Sequence, residues 1–413
     1  MAREGAGQVF SWRPGRLARS SGSLLLWMVL RAAAQALAVL ILARLLGAAG
    51  YGRFVAILAT AAFVAPFVGL GLSNIVLRNG VKDPAGLEWY QAKAMRLWRL
   101  SLLPAILVAC LLAILLLPID IPKLAAFSAI IAELVASSLV ELRARYWQAE
   151  HRISNFGAVN AGLPLIRLVA LSVLYFSAQD YDVQQVLWVY AAVSLMYCVF
   201  LWLPCRKRQQ GEPGAEAMAW ADGVSFGMAA FAVRLQGEFN KPVLAHMGFD
   251  LVGAYNAAQR AADLASMPLS ALQESLWPRL YSKRSTPHQL HVSGLLLLLL
   301  AAFCGAGIWL LAPLLPRVLG GGFTDAVTTA RWLALLPLLQ SIRALLNFHV
   351  IQCARMKLIG WASAIGAVAS VLGVWLLVPR RGIEGAVISA YVTEVVMMVV
   401  LVGGIVHFSR RTV

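Results

Sequence analysis

Nowhere does this chain hold a polar stretch long enough to form a soluble domain. Charged residues occupy 13% of its 413 positions and hydrophobic ones 60%, with a mean hydropathy of +0.75. An ordinary soluble domain carries roughly a quarter charged residues. Acidic residues are scarcest, 19 against 35 lysines and arginines. Cysteine is sparse as well: Cys110, Cys198, Cys205, Cys304 and Cys353 lie in or beside apolar runs and form no C-x-x-C. Neither a disulfide framework nor a zinc site is supported. There is no H-E-x-x-H and no P-loop. His288 and His291 have H-x-x-H spacing but stand in a basic loop without further ligands, so no metal is expected.

What the chain does have is a succession of apolar runs of about twenty residues, the length that spans a bilayer as a helix. The pattern predicts an all-α polytopic membrane protein with about 12 transmembrane helices. In the first half they fall at about 23–46, 53–77, 100–117, 123–141, 156–177 and 183–203. In the second half they fall at about 222–247, 252–277, 292–315, 329–352, 358–378 and 386–407. The longest polar, Gly/Pro-bearing break lies near the midpoint, with Arg206, Lys207, Arg208 and then GEPGAEA. It divides the chain into an N-terminal lobe (1–205), a cytoplasmic linker (206–220) and a C-terminal lobe (221–413). An even number of spans per half makes the lobes parallel repeats around a central cavity.

The stretch 41–74 organises this reading: an apolar helix, a hinge rich in glycine (Gly47, Gly50, Gly52), then a second apolar run. Something similar returns from Val243 to Leu272. Leu42-Ala43 aligns with Leu244-Ala245, Gly47 falls near Gly248, Tyr51 near Tyr255 after a short insertion, and Pro66 near Pro268. Internal repeats of this kind build many transporters.

A net charge of +16 would suit a nucleic-acid partner, but the basic residues sit at span ends and inside spans. Clusters at the N-terminus, 78–99, 143–152, 206–208, 279–284, 355–357 and 410–411 fall on one side of a twelve-span topology. The other side holds little beyond Lys123, Arg317, Arg380 and Arg381. The positive-inside rule then places both termini in the cytoplasm, with the basic N-terminus leading into an uncleaved first span.

Ionisable residues inside spans cost a few kcal/mol each on insertion scales and so mark cavities or partners. Arg31, Arg167, Arg234, Lys241, Arg260 and Arg343 are the candidate cations, and acids also appear in spans at Glu133, Glu274 and Glu394. Arginine stays protonated and forks onto phosphate oxygens, so several lining one cavity would suit a phosphate-bearing ligand. Glu238 and Asp263 are candidates for ion or proton coupling. Pairing is the alternative for each: Glu238 with Lys241 or Arg234, and Arg260 with Asp263, one helical turn apart. Pro66, Pro164, Pro242, Pro268 and Pro337 can kink or break their helices.

Three segments, ARLLGAAGYGRF (43–54), DLVGAYNAAQRAADLASMPLSALQESLWPRL (250–280) and PRRGIEGAVISAYVTE (379–394), carry a family resemblance. They resemble the polysaccharide-biosynthesis branch of the multidrug/oligosaccharidyl-lipid/polysaccharide exporter superfamily, the Wzx-type O-antigen flippases. The resemblance implies a bacterial inner-membrane protein with two six-helix lobes and alternating access. It implies an undecaprenyl-pyrophosphate-linked oligosaccharide as substrate, membrane lipids as surroundings, and polymerase and ligase proteins as partners. No cofactor is implied, although a Na+ or H+ gradient or the membrane potential could drive transport. Glu238, just before the second glycine hinge, looks like an acidic position of the family. Two rivals stand beside this reading: a drug or cation antiporter of the same superfamily, and a membrane-embedded glycan polymerase or glycosyltransferase.

Overall fold

The computed structural model describes residues 16–69, 71–177, 179–202, 220–273, 287–353 and 355–409. All regular structure among them is helical. The first helix, α1 (Arg16–Val64), is broken at Gly47 into arms 16–46 and 48–64. A helix rises about 1.5 Å per residue, so the apolar stretch Ser23–Phe67 is far too long for one crossing of a ~30 Å hydrocarbon core. It reverses at Gly47, whose φ of 65° and ψ of −178° leave the helical region on the side open to glycine.

A 3-10 turn (Ala65–Phe67) and α2 (Leu72–Lys82) follow, then α3 (Leu87–Leu116), α4 (Lys123–Ala149), α5 (Ile153–Phe176) and α6 (Val183–Trp202). The C-terminal lobe contains α7 (Trp220–Glu238), α8 (Asn240–Ala245) and α9 (Phe249–Ala265), with helical turns continuing through 267–273. Next come α10 (Pro287–Leu311), α11 (Leu315–Leu319), α12 (Thr324–Leu333), α13 (Leu336–Gln352), α14 (Met356–Arg381) and α15 (Ile383–Ser409). Counting the two arms of α1 separately, and joining short helices that continue one another, gives two lobes of six helices. The linker 206–219, Glu274 and the basic cluster 279–284 lie outside the described residues.

Nine described stretches are long and apolar enough to cross a membrane, the first holding both arms of α1. The chain is a multi-pass membrane protein. Neither α7 nor α9 is among those stretches. They are the helices that carry Arg234, Glu238, Arg260 and Asp263.

The structure corrects several spans. The second helix, expected to be continuous over 53–77, is interrupted after Val64: Pro66 lacks an N–H, and Gly69 and Gly71 take φ of 77° and 67°. The basic connection 78–99 is mostly helical, divided between α2 and a longer α3. The tenth span is broken between α12 and α13, just ahead of Pro337.

Helix α4 is the strut of the N-terminal lobe. Ala125, Ala126, Ala129, Ala132 and Ala136 are all buried along it, and small side chains let neighbouring backbones approach closely. It packs against α1, α2, α3, α5 and α6. The lobes meet where the second arm of α1 lies against α7, α8 and α9. Phe63 packs on Phe239 and Phe67 on Phe231, with ring centroids 6.2 and 5.0 Å apart.

Candidate functional site

The lobes touch most closely where the two glycine breaks lie. Gly52 follows the break at Gly47 by the same interval at which Gly253 follows the break at Gly248. A Cβ on Gly52 would overlap the Phe249 carbonyl, and a Cβ on Gly253 would overlap the Ala48 carbonyl. The contact is therefore reciprocal. In this register Gly52 matches Gly253 without a gap, which corrects the alignment of Tyr51 with Tyr255.

Polar contacts reinforce this junction. Tyr51, 1% exposed, accepts a hydrogen bond from Asn256 Nδ2 and lies 6.1 Å from the Phe323 ring. Arg44 Nε donates to the Val318 carbonyl at 2.7 Å, and the Arg53 guanidinium stands 5.1 Å over the Phe249 ring. His246 Nε2 bonds the Leu116 carbonyl at 3.0 Å.

Farther from the glycine breaks the charges gather. At the rise of a helix, Arg31, Arg234, Arg260 and Asp263 all lie about 18–24 Å from their glycine breaks, a shared depth reached from different helices. All four side chains are exposed, although their helices run through the bundle. Arg31, on α1, feels the charge of Arg234, on α7 of the opposite lobe. Neither has an ion-pair partner among the described residues. Arg260 and Asp263 form a loose pair at 3.6 Å, half-exposed on both sides.

Glu238 and Lys241 pair directly across the break at Phe239 between α7 and α8. Lys241 is 1% exposed, and an ammonium so deeply buried persists because a carboxylate meets it. Glu238 also feels Arg260 and Arg234, and Asp263 feels Lys241, so the six groups form one electrostatic cluster. Four cations and two carboxylates leave two positive charges.

Two candidate cations lie elsewhere. Arg167 NH2 pairs with Glu133 Oε2 at 2.6 Å, its Nε donates to Ser194 Oγ at 2.9 Å, and its guanidinium stands 4.2 Å over the Tyr190 ring. The Tyr190 hydroxyl donates to the same Glu133 oxygen at 2.6 Å. Arg343 Nε donates to Glu394 Oε2 at 2.6 Å, joining α13 to α15. Each lobe thus contains an internal Arg–Glu pair, which places Arg167 and Arg343 apart from the other four candidate cations. Apolar neighbours drew both arginines toward their own acids, Glu133 and Glu394, which the sequence had shown as isolated charges.

Some features carry no site. Gly223-Val224-Ser225-Phe226-Gly227 has G-x-S-x-G spacing, but its backbone lies within α7 rather than at the strand-to-helix turn that exposes a nucleophile. A groove of about 630 Å³ runs along α5 beside Leu168, Val169, Val173 and Phe176, and none of the clustered charges lines it. Among the described residues no group of three His, Cys, Asp or Glu side chains could hold a metal. The residues that sequence reasoning missed are those of the closure, Arg44, Asn256 and Phe323. Only the spacing of glycines marked that region.

No family model matches the sequence, and no curated protein matches it by sequence. Solved structures do match. A multidrug resistance MATE family transporter of the MOP superfamily, in its inward-facing conformation, has a TM-score of 0.70 at 13% identity, covering 94% of this chain and 98% of its own. The lipid II flippase MurJ, in an inward closed conformation, has a TM-score of 0.70 at 10% identity, covering 92% and 87%. An outward-facing MATE family transporter scores 0.61 at 14% identity, covering 95% of each chain. The fold is that of the MOP-superfamily transporters.

Proposed function

We propose that this protein is a MOP-superfamily transporter that flips an undecaprenyl-pyrophosphate-linked oligosaccharide across the bacterial inner membrane. What supports the reading is the positive cluster contributed by both lobes, in which Arg31 lies within electrostatic reach of Arg234 and neither has an ion-pair partner among the described residues. An arginine within a span costs about 2.5–3.5 kcal/mol on insertion scales. Two such residues in one cluster repel, and its two carboxylates, Glu238 and Asp263, balance only two of its four cations. A diphosphate diester brings two negative charges, the number the cluster lacks, and its oxygens suit the planar guanidinium fork.

In this reading the sealed glycine end faces the periplasm and both termini face the cytoplasm. The pyrophosphate enters from the cytoplasmic side and meets Arg31, Arg234 and Arg260, while the prenyl tail stays in lipid between the lobes. Breaking the reciprocal glycine contact and closing the opposite end then exposes the headgroup outside. Polymerase and ligase proteins would consume the product. A drug antiporter shares the fold, but cationic drugs would meet a repulsive cluster. For a glycan polymerase or glycosyltransferase, no group of three His, Cys, Asp or Glu side chains that could hold a metal is found among the described residues.

The test is the surface-glycan and lipid-linked-intermediate profile of a strain lacking the protein. Loss of surface glycan with lipid-linked units stranded on the cytoplasmic face is expected. Intact glycan with altered drug tolerance would favour the antiporter. Short glycans that reach the surface unextended would favour a polymerase.

A further inference from the structure

We propose that Asp263 is a resident counter-ion, holding on Arg260 the place that the ligand's phosphate takes when the site is filled. The proposal rests on the anion-site reading above and concerns how that site empties.

The two carboxylates of the cluster are held differently. Glu238 is 15% exposed and pairs with a buried lysine across a helix break, so displacing it would strand an ammonium that is 1% exposed. Asp263 sits one turn from Arg260 on the same face of α9, at 3.6 Å, with the two side chains 56% and 50% exposed. Exposed pairs of this spacing are weak. A phosphate offering two charge-assisted hydrogen bonds outcompetes such a carboxylate for a guanidinium. An incoming headgroup therefore takes Arg260 from Asp263 and leaves the Glu238–Lys241 pair intact.

The exchange also runs backwards. A carrier must hold its ligand weakly enough to release it, and it must then return empty. Without Asp263 the empty site would contain three uncompensated cations, Arg31, Arg234 and Arg260. With Asp263 in place, each departing phosphate oxygen is replaced on Arg260 by a carboxylate already within reach. The role differs from proton coupling, because Asp263 stays charged throughout.

The full-length protein in lipid nanodiscs and in vesicles, with undecaprenyl pyrophosphate as probe, distinguishes these roles. In Asp263→Asn the probe should bind about tenfold more tightly while turnover slows several-fold, a split that a folding defect would not produce. Asp263→Glu should restore both values. Unchanged or weaker binding in a folded Asp263→Asn protein would overturn the proposal and leave the anion site standing. Unchanged binding together with loss of the pH dependence of transport would also overturn it, assigning Asp263 to proton coupling. Failure of the wild-type protein to bind the probe would overturn both this inference and the anion site.

Discussion

Gly52 and Gly253 are partners across the lobes: each presses its bare Cα toward a carbonyl of the other lobe, Phe249 for Gly52 and Ala48 for Gly253. The contact has the form of a two-fold axis running between the lobes, and it joins the sequence repeat to the end where the lobes touch most closely. Close approach of backbones through glycine is the common way for membrane helices to associate without a hydrophobic driving force.

Gly52→Ala or Gly253→Ala should open that end. A methyl group there cannot fit without moving backbone, and overpacking of this kind costs about 1–3 kcal/mol. Spin labels on cysteines at Ile119 and Arg381, both exposed at the same end, should report a longer distance in either variant. An unchanged distance distribution would mean that the glycines do not hold the lobes together.

Tyr51→Phe should act in the same direction with a smaller effect. It removes the hydrogen bond that Asn256 donates, worth about 0.5–1.5 kcal/mol, while keeping the ring against Phe323. The same pair of labels measures it, and a distribution equal to that of Gly52→Ala would contradict the ranking.

Arg167→Ala should lower thermal stability rather than alter substrate handling. Breaking a part-buried pair strands its partner, here Glu133, at a cost of at most about 3–5 kcal/mol. The double substitution Arg167→Met with Glu133→Leu should regain much of the loss, because neither charge is then left alone. Normal melting of Arg167→Ala with defective transport would return Arg167 to the transport pathway.

Arg31→Ala and Arg234→Ala should have the opposite profile. Both side chains are exposed and have no ion-pair partner among the described residues, so expression and melting should stay near those of the unmodified chain while transport falls. Lysine at either position should restore part of the activity, since it supplies the charge without the planar fork.

Much of this architecture was legible in the sequence because a bilayer restricts the choices so tightly. Apolar runs of about twenty residues give spans, and the glycines at 47 and 248 give reversals. What the sequence could not show is which charges come within reach of one another. Arg31 and Arg234 are brought within electrostatic reach only by the docking of α1 and α7, whereas Arg167 and Arg343 carry the same in-span signal and find acids within their own lobes. Pairs within one turn, Glu238 with Lys241 and Arg260 with Asp263, were readable from helical spacing alone. The closure was only half visible: Gly52 was part of the hinge motif, but its contact with Phe249 needs the other lobe.

The most direct test of the anion site is flipping of a fluorescent undecaprenyl-pyrophosphate-linked sugar in vesicles containing the purified protein. Wild-type protein should make the inner-leaflet probe accessible to an external quencher, and the Arg31→Ala, Arg234→Ala double variant, folded to the same melting point, should not. Equal flipping by the two proteins would contradict the claim that these arginines carry the pyrophosphate.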